Sequence, residues 1–94
     1  MKQEFYVFVA CAPGKTYEVG RSIARKHNPV VKSISSVSGD WDLLLRLVME
    51  SGHDVGMELV TLFTDEPHIV RTNTIVSYPV FDPADIYFSE DGDV

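Results

Sequence analysis

The stretch Cys11-Ala12-Pro13-Gly14-Lys15-Thr16 contains the Gly-Lys-Thr that closes a nucleotide-binding phosphate loop. Such a loop also needs a glycine five residues before the last one, so that its backbone N–H groups can converge on the phosphates. Here that position is Val9, a β-branched residue inside an apolar run. Pro13 removes one more N–H from the would-be cradle. The segment therefore reads as a strand, an Ala-Pro-Gly turn and a helix, with Pro13 at the helix start, where its missing N–H costs least. Cys11 is the only cysteine and has no internal disulfide partner, which suggests a reducing compartment, most simply the cytoplasm. As a thiol it reads as a half-buried strand residue. His27, His53 and His68 share no metal-ligand spacing and read as structural or surface groups. No catalytic residue, metal or cofactor is expected.

The 94 residues make one domain, large enough for a core but small enough that association is expected. An apolar fraction of 45% suits a globular chain. No apolar run is long enough to span a membrane, and the N-terminus does not read as a signal peptide. The net charge of −6 is uneven: Asp82, Asp85, Glu90, Asp91 and Asp93 form an acidic end without a base, while the rest carries eight bases against nine acids. Six of the bases lie between Lys2 and Lys32. No helix-turn-helix or aromatic-basic stretch accompanies them, so they read as a solvated helix face and no direct nucleic-acid contact is expected.

These groups must be positioned by regular elements. Residues 3–11 are rich in Phe, Tyr and Val on both alternating sets, which makes a strand covered on both faces. Residues 14–27 place Val19, Ile23 and His27 on one helical face and Lys15, Glu18, Ser22 and Arg25 opposite, with Asn28-Pro29 as the stop. Residues 30–38 and 41–49 form a hairpin about a tight Gly39-Asp40 turn. Ser51 and Asp54 approximate a capping box for a helix over 53–65, whose apolar face is Val55, Leu59, Leu62 and Phe63. Asp65-Glu66-Pro67 ends it, and residues 68–78 form the last strand.

The order β-α-β-β-α-β predicts an α+β, ferredoxin-like fold: a four-stranded antiparallel sheet, strands one and three central, with two helices on one face. The domain spans 1–80. Residues 81–94 form an acidic extension whose Phe81, Ile86, Tyr87 and Phe88 could pack on the domain or a partner, and whose end, 90–94, reads as mobile. Because the first strand is apolar on both faces, the uncovered sheet face predicts a homodimer with sheets face to face, a dimeric α/β sandwich.

Three segments carry a resemblance. Ala12 to Val19 (APGK and an acidic, valine-containing helix start), the hairpin Val37 to Leu47 (VSGDWDLLLRL) and the strand Ile69 to Val76 (IVRTNTIV) are similar to the effector-binding, or RAM, domain of Lrp/AsnC family transcription regulators. The match covers residues 4–78. It implies that Pro-Gly-Lys is a strand-to-helix turn that binds no phosphate. It also implies dimers that assemble into octameric rings or longer polymers, with amino-acid effectors in clefts between dimers. Most members carry an N-terminal helix-turn-helix domain. Here the first strand begins within a few residues of Met1, so the chain resembles stand-alone members that act alone or co-assemble with full-length relatives.

By that resemblance, Ser38, Gly39, Asp40, Trp41 and Asp42 match the hairpin motif, and Thr72 and Thr74 match the T-x-T of the closing strand; together they are the expected effector site. An amino acid needs acceptors for its ammonium and donors for its carboxylate. Asp40 or Asp42 could supply the first, and N–H groups around Gly39 with a threonine hydroxyl the second, with Trp41 as a wall. Each also has a plain structural reading: Asp40 as a turn residue, Trp41 as strand-face packing, the threonines as strand formers. Two other classes share the fold. Dimeric monooxygenases and haem-degrading proteins need a polar group or haem ligand between sheet and helices, where this chain looks apolar and has no mid-strand histidine. ACT-type modules bind amino acids near the first strand-to-helix turn.

Overall fold

The structure, a computed structural model, describes residues 1–81 with Pro83 and Ala84. The elements are β1 (Lys2–Cys11), α1 (Thr16–Arg25), β2 (Val31–Ser36), β3 (Leu43–Glu50), α2 (Val55–Phe63) and β4 (Ile69–Ser77). The sheet is antiparallel with order β2-β3-β1-β4, so β1 and β3 are central as expected. The rest of the acidic extension, including Ile86, Tyr87, Phe88 and 90–94, lies outside the described residues.

Alternation divides the sheet into two faces. Phe5, Val7 and Val9 of β1 and Leu43, Leu45, Leu47 and Met49 of β3 are buried beneath the helices. Val19 and Ile23 of α1 and Leu62 of α2 close this core, with Val55, Leu59 and Phe63 packed at its margin. Each fully buried aliphatic side chain contributes roughly 1.5–3 kcal/mol. The opposite face carries Glu4, Tyr6 and Phe8 of β1, Leu44, Arg46 and Val48 of β3, and Arg71, Asn73 and Ile75 of β4, with no helix of the described residues over it.

Several boundaries differ from the sequence reading. The hairpin connection is a six-residue loop, Val37 to Asp42, closed by the Val37 N–H donating to the Asp42 carbonyl at 3.0 Å, and is not a tight Gly39-Asp40 turn. Gly39 still takes the left-handed φ of 98° that glycine suits. The cap of α2 is Asp54 alone: its carboxylate accepts the Met57 N–H at 3.1 Å, which starts the helix at Val55. The first helix ends at Arg25, and His27, at φ 52°, turns the chain out exposed instead of extending the apolar face.

Nor is Ser22 on a solvated face. Its hydroxyl donates to Glu66 at 2.7 Å, and Lys26 meets the same carboxylate at 3.1 Å. The Lys26 ammonium also donates to the carbonyls of Leu62 and Thr64, capping the end of α2 and clasping the two helices together. The Glu66 side chain is only 3% exposed, so its charge needs both partners.

Candidate ligand-binding site

The Ala12-Pro13-Gly14-Lys15 segment is a closed β-turn. The Lys15 N–H donates to the Ala12 carbonyl at 3.0 Å, and Gly14 has a φ of 76°. Proline followed by a left-handed glycine is the pattern of a type II turn. Pro13 thus serves the turn and lies three residues ahead of α1, not at its first position. Val9 is fully buried in β1, so nothing here curls into a phosphate cradle.

The hairpin loop stands at the end of the sheet where β1 stops. Ser38, Gly39 and Asp40 are exposed at its tip, and Trp41 and Asp42 are half-buried at its base. The two aspartates have different surroundings. The Asp42 N–H donates to the Val9 carbonyl at 2.9 Å, and one oxygen of its carboxylate accepts the Cys11 N–H at 2.7 Å. Asp42 therefore fastens the loop to the end of β1. Its charge also helps hold the Cys11 thiol above its ordinary pKa, after burial, the larger cause. Asp40 makes no ion pair among the described residues.

Trp41 lies over the uncovered sheet face. Its ring sits 5.7 Å from that of Phe8, tilted by 40°, and the Arg71 guanidinium sits 4.4 Å from its centroid. Arg71 is opposite Ala10 on β1, so this stack links the hairpin loop to β4 across the central strand. Thr72 and Thr74 pair with Val9 and Val7, which face the helices. They lie on the opposite side of the sheet from Trp41, Thr72 exposed and Thr74 half-buried. One chain thus brings Trp41 of the hairpin loop together with Arg71, and puts the threonines on the other side of the sheet. Arg71 was missed by motif reading. Its signal was the period-two alternation of β4, which puts Arg71, Asn73 and Ile75 on the face shared by Tyr6 and Phe8.

The same face carries a second polar group. Arg46 is bonded to Glu4 across β3 and β1, and this guanidinium, with smaller help from Ser77 and Tyr6, holds the Glu4 carboxyl below its ordinary range. Elsewhere, His53 bonds Glu58 at 2.9 Å and His68 meets Glu18 at 3.3 Å, so both act as local partners of helix carboxylates. Among the described residues no group of His, Cys, Asp and Glu is arranged to hold a metal ion. No helix there is long and apolar enough to cross a membrane.

No family profile matches the sequence, and no curated protein matches it. Solved structures do. TTHA0845 from Thermus thermophilus superposes with a TM-score of 0.73 at 18% identity, over 85% of this chain and 98% of that one. An AsnC family transcriptional regulator from Agrobacterium tumefaciens matches with a TM-score of 0.69 at 18% identity, over 86% of this chain and 53% of the regulator. This chain has the fold that AsnC family regulators contain. It spans about half the length of such a regulator. Transcriptional regulator NMB0573 from Neisseria meningitidis, solved as a complex with L-Met, matches at 14% identity with a TM-score of 0.69, over 85% of this chain and 52% of that one. The β-α-β-β-α-β architecture is thus the expected ferredoxin-like one.

Proposed function

We propose that this chain is a small-molecule sensing and assembly module of the Lrp/AsnC type that binds a free amino acid at the hairpin loop and is linked to transcription regulation. The observation that carries the reading is the division within the loop. Asp42 is committed to the chain's own backbone, whereas Asp40 stands exposed at the tip beside Ser38 and Gly39. An ammonium would be held by Asp40. A carboxylate would find N–H groups about Gly39, where no atom comes within 4 Å of the position a Cβ would take. Trp41, stacked between Phe8 and Arg71, makes a rigid wall behind the loop. The fold shared with a regulator solved with L-Met supports this ligand class.

Completion of the site belongs to the assembly. Thr72 and Thr74 lie across the sheet, so in this reading they would serve a ligand at the loop of another subunit, not their own. The bare sheet face supports a homodimer, and dimers would supply such neighbours, in a ring or in co-assembly with full-length regulators. The module has no catalytic role in this reading. The space that the monooxygenase or haem-degrading alternative needs is filled by Val7, Val9, Leu45, Leu47 and their neighbours. The single cysteine supports a cytoplasmic setting.

The test is a thermal-shift screen of the free amino acids, followed by calorimetry on Asp40→Ala. A charged hydrogen bond of about 1.5–3 kcal/mol predicts binding weakened by roughly 10–100-fold. Wild-type affinity in Asp40→Ala would remove the carboxylate from the site. Absence of any stabilising amino acid at millimolar concentration would remove the ligand class. A ligand found at the Pro13-Gly14 turn instead would favour the ACT-type arrangement.

A further inference from the structure

A groove runs along the length of α1 beside the edge strand β2. One part, about 550 Å³, is lined by Tyr17, Arg21, Ala24, Ile34 and Leu43; the adjoining part, about 480 Å³, shares Ala24 and Ile34 and continues to Lys32. The floor is apolar and the rim cationic. Among the described residues no Asp or Glu lines either part, whereas the cleft on the other flank of α1 is lined by Glu18, Asp65 and Glu66. Among the described residues β2 pairs with β3 alone, which leaves its outer backbone edge unpaired by them. The groove lies on the helix side of the sheet and stays open when a second copy covers the bare face.

The segment from Asp82 to Val94 matches this groove in chemistry. It carries five acids and no base around the apolar run Ile86-Tyr87-Phe88, while the rest of the chain is nearly charge-balanced. Its reach also suffices. Ser77 at the end of β4 pairs with Glu4, which pairs with Val48, and Val31 at the start of β2 pairs with Leu47. The two ends therefore lie at the same end of the sheet, three strand spacings apart, or about 14 Å. Rising to the helix layer adds about 10 Å. The Ile34 floor lies three residues, about 10 Å, further along β2. The eight residues 78–85 can span up to about 26 Å when drawn out, beyond the roughly 20 Å these offsets combine to.

We propose that the acidic C-terminal segment Asp82–Val94 docks into the α1–β2 groove of its own chain, with Ile86, Tyr87 and Phe88 on the Ala24–Ile34 floor and the acids facing Arg21 and Lys32. Docking covers the unpaired edge of β2, which would otherwise template pairing with other chains. It also makes the groove a site from which the chain's own tail must be displaced before any competing acidic segment binds. The tether supplies an effective concentration in the millimolar range, so a weak contact suffices.

The experiment compares amide spectra and hydrogen exchange of the full chain with three variants: Tyr87→Ser/Phe88→Ser, Arg21→Glu/Lys32→Glu, and a chain ending at Phe81. Expected are shifts of the Gly20, Ala24 and Ile34 amides in all three. Exchange at the β2 amides that do not bond β3 should be faster by about tenfold in each, and the full-chain pattern should not change on tenfold dilution. A synthetic 82–94 peptide should restore the pattern in the chain ending at Phe81, and its binding should weaken about tenfold in the Arg21→Glu/Lys32→Glu form of that chain. Groove amides unmoved by removing the segment would overturn the proposal. So would a pattern lost on dilution, which would assign the groove to another copy's tail.

Discussion

Asp40 and Asp42 are two residues apart and chemically identical, and only their surroundings separate them. Asp42→Ala removes the acceptor of the Cys11 N–H and should destabilise the fold by about 1–3 kcal/mol in urea titrations. Asp40→Ala, at an exposed tip, should change stability by under about 0.5 kcal/mol. Equal effects of the two substitutions would contradict the division of labour. Two other carboxylates give the chain a pH dependence. The Glu58 carboxyl is held below its ordinary 4.5, first by the His53 hydrogen bond and next by that of Asn28, and Glu4 is held low by Arg46. A folded-state pKa below the unfolded one means that the unfolded chain takes up protons first. The stabilisation is then fully present above pH 4.5 and is lost as pH falls through the lower folded-state values. As pH falls below 4.5, Glu58→Gln should lose less stability than the parent protein. Superimposable acid limbs would show that Glu58 does not contribute.

At the scale of elements, the Pro13-Gly14 turn makes a direct prediction. Nothing lies within 4 Å of a Cβ placed on Gly14, so Gly14→Ala introduces backbone strain alone at φ 76°. Its cost should be about 1 kcal/mol by denaturant midpoint, with secondary structure unchanged. A neutral substitution would mean that the turn relaxes out of its left-handed conformation. The order of elements was legible because β1 and β3 are apolar runs of strand length, rich in Val, Phe and Leu, and because Val19 and Ile23, or Leu59 and Phe63, recur at helical spacing. The hairpin turn was not. Gly39-Asp40 satisfies the local rule for a tight turn, but Asp42 is drawn to the end of β1 by its bonds to Val9 and Cys11, which opens the loop to six residues. That is a contact between residues 31 apart, invisible to any local pattern. The Trp41–Arg71 stack escaped for the same reason, since it needs β1 to lie between β3 and β4. The placement of Thr72 and Thr74 away from Trp41 follows from register, which a motif does not encode.

For the molecule as a whole, the bare sheet face decides what the chain can be. Tyr6, Phe8, Leu44, Val48 and Ile75 share it, and no element among the described residues covers them. A second sheet packed about 10 Å away would bury these residues, and with them the Glu4–Arg46 pair at the middle of the face. Such a pair has a definite signature. Losing one partner leaves an uncompensated charge inside the interface, whereas exchanging both for apolar groups is near neutral or favourable. The dimer should therefore persist at low micromolar concentration in sedimentation equilibrium, with no folded monomer. Phe8→Asp should abolish it, and Arg46→Met should weaken it strongly. The double variant Glu4→Leu/Arg46→Met should recover most of that loss, a recovery that a solvent-exposed pair would not show because neither single change would matter there. A folded monomer of the parent protein at low micromolar concentration would refute the sheet-to-sheet arrangement. A dimer indifferent to Phe8→Asp would move the interface to another surface, where Met57 and Val60 on the outer side of α2, each 62% exposed, are the next apolar candidates.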